Sequence, residues 1–174
     1  MLDAIRKRRF ELAFGPHHTL EYRVTTISPL LKLHLPDERV ILEDQFLPWV
    51  EDAMLVLQLS QLVLRQTCLQ AGEWFRAGVP VSSFPLRIPT AHFLQADFVS
   101  SLLRLLEQAG LPGNFLDLGV TEATIMADPE ATTKTMNSLR PHGVRFTVCG
   151  HGDTPLPASS LRTLPVDTLE VVCS

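Results

Sequence analysis

Cys149-Gly150-His151-Gly152-Asp153 brings a thiol, an imidazole and a carboxylate within five positions, with glycines between them. Such a set suits either metal ligation or a thiol nucleophile whose proton an imidazole removes. The motif follows a predicted strand, and Cys173 would end a neighbouring one, which favours a site; the competing reading is a glycine turn, since only one good base stands nearby. Glu122 follows the apolar run Phe115 to Val120, which puts its carboxylate in the strand-end layer where parallel sheets hold ligands. There it serves either as a ligand or as a hydrogen-bonding cap. His17, His18 and His34 have no carboxylate or cysteine at ligand spacing and read as loop histidines. The run Arg6-Lys7-Arg8-Arg9 reads as a solvated helix end complementing the dipole rather than as a phosphate or membrane patch. Two-metal phosphodiester hydrolysis needs several hard oxygen ligands holding cations about 3.5–4 Å apart. The strand ends offer Glu122 and, after it, Asp153.

The elements that position these residues follow from apolar periodicity. Leu2 to Arg9 reads as a short helix, Phe10 to Phe14 as a strand stopped by Gly15-Pro16, and Glu21 to Leu33 as a second extended piece containing Pro29. From Leu42 the period becomes helical, giving a helix pair whose long second member ends at Gly78. Val81 to Ile88 is a short buried strand, and Pro85 inside it predicts distortion there. A helix from Phe98 to Ala109 closed by Gly110, a strand Phe115 to Val120, and a helix begun by Asp128-Pro129-Glu130 and reaching Leu139 come next. Strand Val144 to Cys149, a short helix Ser159 to Leu164 and strand Thr168 to Val172 complete an alternating strand-helix order without internal repeat. About six strands alternating with helices predict an α/β fold with a largely parallel sheet, either doubly wound or a barrel lacking its closing units.

Composition bounds the function. The 174 residues, 45% hydrophobic and 20% charged, form one folded domain. Fifteen Lys and Arg against nineteen Asp and Glu leave a net charge of −4, which disfavours nucleic acid as a partner. Three widely spaced cysteines without a CxxC pair fit a reducing compartment, and no signal peptide or membrane span is read, so a cytoplasmic location is expected.

Four segments, taken jointly with their spacing, resemble the EAL domain family, bacterial phosphodiesterases that open cyclic di-guanylate in a metal-dependent (β/α) barrel. Leu42-Glu43-Asp44-Gln45-Phe46-Leu47-Pro48 is similar to that family's PDEFIPLAE, and Leu64-Arg65-Gln66-Thr67-Cys68 through Trp74 to its LREAC helix. Phe115-Leu116-Asp117-Leu118-Gly119-Val120-Thr121-Glu122 resembles LELEITE, and Leu164-Pro165-Val166-Asp167-Thr168-Leu169 resembles LPVD-x-LKID. The resemblance covers nearly the whole chain and implies a shortened TIM-type barrel of about six strands, with an antiparallel first strand.

The family's chemistry is where this sequence departs. The EALLR signature falls on Ser28-Pro29-Leu30-Leu31-Lys32, so Ser28 replaces the metal-binding glutamate and Lys32 the phosphate-contacting arginine. Arg87 stands at an asparagine position, Gly119 at a glutamate, Cys149 and Gly150 at paired aspartates, Glu170 at a lysine, Val172 at an aspartate and Gly15 at a nucleotide-touching glutamine. Glu122 alone survives among the carboxylates covered. No catalytic residue, metal or cofactor is therefore expected, although the family uses magnesium or manganese. The expectation is one EAL-like domain over residues 1–174, without the family's last two strand-helix units, acting as an inactive regulator of cyclic di-guanylate signalling. Its expected partner is a regulatory protein or a second copy, which would cover open strand edges and apolar surface. The alternatives are a metal-independent receptor in which Lys32 and Arg87, joined by Arg145, form a positive phosphate pocket, and a residual phosphodiesterase. If Arg87 instead pairs with Glu122 or Glu170, it seals the site.

Overall fold

The computed structural model describes residues 9–17, 26–35, 38–47, 50–150 and 164–171. Seven strands and six α-helices lie within them: β1 Phe10–His17, β2 Thr26–His34, β3 Val40–Leu42, α1 Glu43–Phe46, α2 Ala53–Arg76, β4 Phe84–Arg87, α3 Thr90–Phe93, α4 Phe98–Ala109, β5 Leu116–Thr121, α5 Glu122–Ala127, α6 Pro129–Leu139, β6 Arg145–Gly150 and β7 Thr168–Val171. β1, β2 and β3 form an antiparallel sheet, and β4, β5, β6 and β7 a parallel one in that order. A parallel bridge between Thr26 and Ser83 joins them, so β1 runs opposite to the other barrel strands, as the resemblance implied.

The helix termini follow their capping residues. Asp52 accepts the Met54 and Leu55 N–H groups at 2.9 and 3.3 Å and starts α2. Asp128 accepts the Ala131 N–H at 2.9 Å ahead of Pro129 in α6. Gly110, at φ 61°, ends α4 in the left-handed conformation, and Arg76 from α2 donates to the Ala109 carbonyl at 2.8 Å. α2 and α4 approach so closely at Gly72 that a Cβ there would lie 2.2 Å from the Ala109 oxygen.

Alternation along the parallel strands sends Phe84, Leu86, Leu116, Leu118, Val120, Phe146 and Val148 into the core under the helices. The intervening residues, Pro85, Arg87, Asp117, Gly119, Thr147, Cys149, Thr168 and Glu170, line the inner face. Asp167 accepts the Phe146 N–H at 2.9 Å and returns its own N–H to the Phe146 carbonyl, also at 2.9 Å, which seats β7 against β6.

Two expectations are corrected. β1 runs through Gly15 and Pro16 to His17 instead of stopping at them, because it is an edge strand. Pro16 opposes Ile27 in a pair that exchanges no hydrogen bonds, so the missing N–H is not needed. The strand count rises from six to seven through β3, three residues long and too short to give a periodic signal. The expected helix at Leu2 to Arg9, the one at Ser159 to Leu164 and the first part of the second strand fall largely outside the described residues.

Pro85 leaves β4 regular toward β5 and acts on its other side. His34 donates to the Arg9 carbonyl at 3.0 Å, so the N–H groups of residues 27, 29, 31 and 33 point away from β1. Ile27 donates to the Ser83 carbonyl at 3.1 Å. The next rung would need the N–H groups of residues 29 and 85, and both are prolines. The ladder between β2 and β4 stops there. Beyond the gap, Leu31 donates its N–H to the Glu43 side chain.

Candidate functional site

The inner face of the parallel sheet gathers four of the substituted positions. Arg87 is the Cα partner of Gly119, and Cys149 that of Glu170. The Arg87 guanidinium reaches from β4 to β7 and donates to both Glu170 carboxylate oxygens at 3.4 and 3.3 Å. It can cross β5 because residue 119 has no side chain: a Cβ there would stand 3.1 Å from Cys149 Sγ and 3.2 Å from Arg87 Cγ. The Arg87 and Glu170 side chains are 57% and 41% exposed, so water screens the pair and its contribution to stability is about 0–1 kcal/mol.

Cys149 is buried beneath this pair. Desolvation, then its hydrogen bond to the Glu170 carboxylate, pushes the thiol up to about 12 against a weaker opposing pull from Arg87. At neutral pH it is a thiol, without the thiolate that a nucleophile needs. His151, Asp153 and Cys173, the other members of the sequence constellation, lie outside the described residues, as do Val172, His18 and Arg6 to Arg8.

Glu122 opens α5, where Thr121 accepts the Thr124 N–H at 3.2 Å as the cap. Its carboxylate sits above Gly150, with Oε1 3.5 Å from where a Cβ of that residue would be. The helix start favours the negative charge. Gly15 and Ser28 are Cα partners across β1 and β2, and Ser28 faces the cavity.

A cavity of about 870 Å³ runs along the inner face and through the gap beside Pro29 and Pro85 to the apolar side of α2. Among the described residues its charged lining is Arg87 against four carboxylates, Glu43, Asp44, Asp117 and Glu170. Of the positive pocket that the receptor alternative would use, Arg87 alone lines the cavity. Lys32 lies outside the lining and pairs with Glu11 at 3.8 Å, while Arg145 stands at the other end of β6, beside Asp117. Its position early in the strand keeps its side chain from the carboxyl-end layer where Arg87 sits. Asp117 accepts the Thr147 hydroxyl at 2.8 Å. The sequence reading assigned Glu43, Asp44 and Asp117 no role, though Asp117 stands two residues before Gly119 and so shares its face. Among the described residues, no group of three or more His, Cys, Asp or Glu is arranged to hold a metal ion.

A family model described as the EAL domain matches residues 1–172. The chain belongs to the EAL domain family. Cyclic di-GMP phosphodiesterase NbdA of Pseudomonas aeruginosa is 28% identical over 170 residues, which are 97% of this chain and 22% of NbdA. The solved PaMucR phosphodiesterase in complex with cyclic di-GMP superposes with a TM-score of 0.82 at 25% identity, covering 97% of this chain and 68% of that one. The FimX EAL domain from Pseudomonas aeruginosa, bound to cyclic di-GMP, matches in fold with a TM-score of 0.78 at 18% identity, covering 97% and 67%. The EAL chain described here spans about a fifth of the length of the curated relatives it matches. The EAL family is linked to cyclic di-GMP signalling, and members of it are cyclic di-GMP phosphodiesterases. No described helix is long and apolar enough to cross a membrane.

Proposed function

We propose that this EAL domain is a catalytically inactive regulator in cyclic di-GMP signalling that acts by contact with a protein partner or a second copy of itself. The observation that carries this reading is the Arg87–Glu170 pair across Gly119, which sets a cation and its counter-charge in the layer where the family works with divalent metals. The residues present do not fit such metals. Hard divalent cations take several oxygen ligands, and this layer offers a glycine, a protonated thiol, the Glu122 carboxylate above Gly150 and the Glu170 carboxylate already engaged by a guanidinium. On the antiparallel sheet, Leu30, Val40 and Leu42 are exposed on one face beside Lys32 and His34, a mixed apolar and charged surface that suits a protein contact.

The receptor reading rests on the same half-exposed Arg87, and the four carboxylates lining the cavity weigh against it, because a cyclic dinucleotide brings two further negative charges. Incubation with cyclic di-GMP and manganese, read by chromatography, tests the proposal. No linear dinucleotide is expected above a protein-free control. Product that a chelator and Glu122→Gln both abolish would restore the phosphodiesterase reading. Calorimetry showing cyclic di-GMP binding that survives chelator and is lost in Arg87→Ala would replace the proposal with the receptor.

A further inference from the structure

Glu43 stands at the gap between β2 and β4, on the same cavity as Arg87 and Glu170 but in an ion pair with neither. Its carboxylate accepts the Leu31 N–H at the point where β2 has lost β4 as a partner. Burial raises its pKa above the usual carboxylate value, held back by that N–H; the neighbouring Asp44 charge adds to the rise and Arg87 opposes it more weakly. Among the described residues no cation forms an ion pair with it. The cavity walls around the gap are Leu31, Leu42, Leu47, Leu59, Val63 and Ile88. Ser60, the polar residue on the α2 wall, already shares a hydrogen bond of 2.7 Å with His92.

A cavity of about 870 Å³ with apolar walls and a few fixed polar groups has the size and make-up of small-molecule sites. Charge selects the guest. An anion meets Glu43, Asp44, Asp117 and Glu170, and a neutral guest leaves the Glu43 carboxylate unmatched in an apolar setting. A cationic head on an aliphatic body satisfies both the carboxylate and the walls. We propose that this gap binds a primary aliphatic amine, with its ammonium on Glu43 and its chain among the leucine and valine side chains between the sheet and α2. The proposal does not depend on whether a nucleotide is turned over.

Calorimetry of the full chain with hexylamine, hexanol and hexanoate tests the assignment. Hexylamine is expected to bind about tenfold more tightly than hexanol, the gain from a charge-assisted hydrogen bond, and hexanoate more weakly than either. Glu43→Gln, which keeps an acceptor for Leu31 and loses the charge, should bring hexylamine down to the hexanol level. Glu11→Gln, which removes a negative charge away from the cavity, should leave hexylamine binding unchanged. Equal affinity for hexylamine and hexanol, no hexylamine heat at millimolar concentration, or hexylamine affinity unchanged in a folded Glu43→Gln protein would each overturn the proposal. Should Glu43→Gln fail to fold, the comparison of the three probes on the unsubstituted protein still decides it.

Discussion

β4, β5, β6 and β7 are joined by ladders of four, five and four residue pairs, whereas β2 and β4 share one bridge. Both junctions belong to the same barrel-like wall, and what separates them is the supply of backbone donors. Pro29 and Pro85 remove the two N–H groups of the next rung, so the wall opens where apolar side chains alone would have allowed it to close. Continuity places the substituted family positions side by side on the cavity wall, and its failure lets the cavity extend to α2.

The largest contrast should come from packing. Phe146, fully buried behind the continuous sheet, is expected to cost about 3–5 kcal/mol on substitution by alanine. Val63, on the cavity wall, should cost about 1 kcal/mol as alanine, because the space beside it is already open. Urea unfolding midpoints check both, and equal losses would mean that the gap is as well packed as the sheet.

On the inner face, Gly119→Glu returns the family's residue to its position. The new Cβ crowds Cys149 and Arg87, so a loss of about 1–3 kcal/mol is expected, with no gain of hydrolysis. A stable, active Gly119→Glu protein would show that Arg87 moves aside freely.

The two regions also carry opposite pH signatures. His92, under the helices of the continuous sheet, is held below the ordinary histidine value by burial, with Asp97 opposing. Its neutral form is favoured on folding, so the stability it contributes is present above pH 6.5 and is lost as pH falls through its folded value. Glu43 at the gap is held above 4.5 chiefly by burial, so its contribution is full below that pH and is lost as pH rises through its folded value. Unfolding curves at several pH values should show that His92→Gln removes the acid-side loss and that Glu43→Gln stabilises the protein at neutral pH. Parallel pH curves for Glu43→Gln and the unsubstituted protein would remove the gap from this comparison.

The smallest effect is expected for Arg87→Ala. With both partners this exposed, the Arg87–Glu170 pair should change stability by less than about 1 kcal/mol, as read by thermal unfolding. A larger loss would mean that the pair ties β4 to β7 as well as occupying the inner face.

Much of this was legible in the residue order. Helix Phe98–Ala109 with its Gly110 stop and the Asp128 cap ahead of Pro129 occur as read, because caps and periodicity act over a few residues. The family followed from motifs of contiguous residues in the same way. β3 was not legible, since three residues carry no period, and β1 overran Gly15-Pro16 because an edge position, invisible in sequence, makes the missing N–H harmless. The substituted positions could be named one by one, yet their mutual fit could not. Arg87 meets Glu170 only because register sets Gly119 between them, 83 residues separate the partners in the chain, and pairing at that distance is decided by the sheet. Pro29 and Pro85 each announced a local irregularity in the sequence. That the two remove the donors of the same rung, and so open a cavity with Glu43 in its wall, depends on the register of two strands more than fifty residues apart, and only the folded chain brings them together.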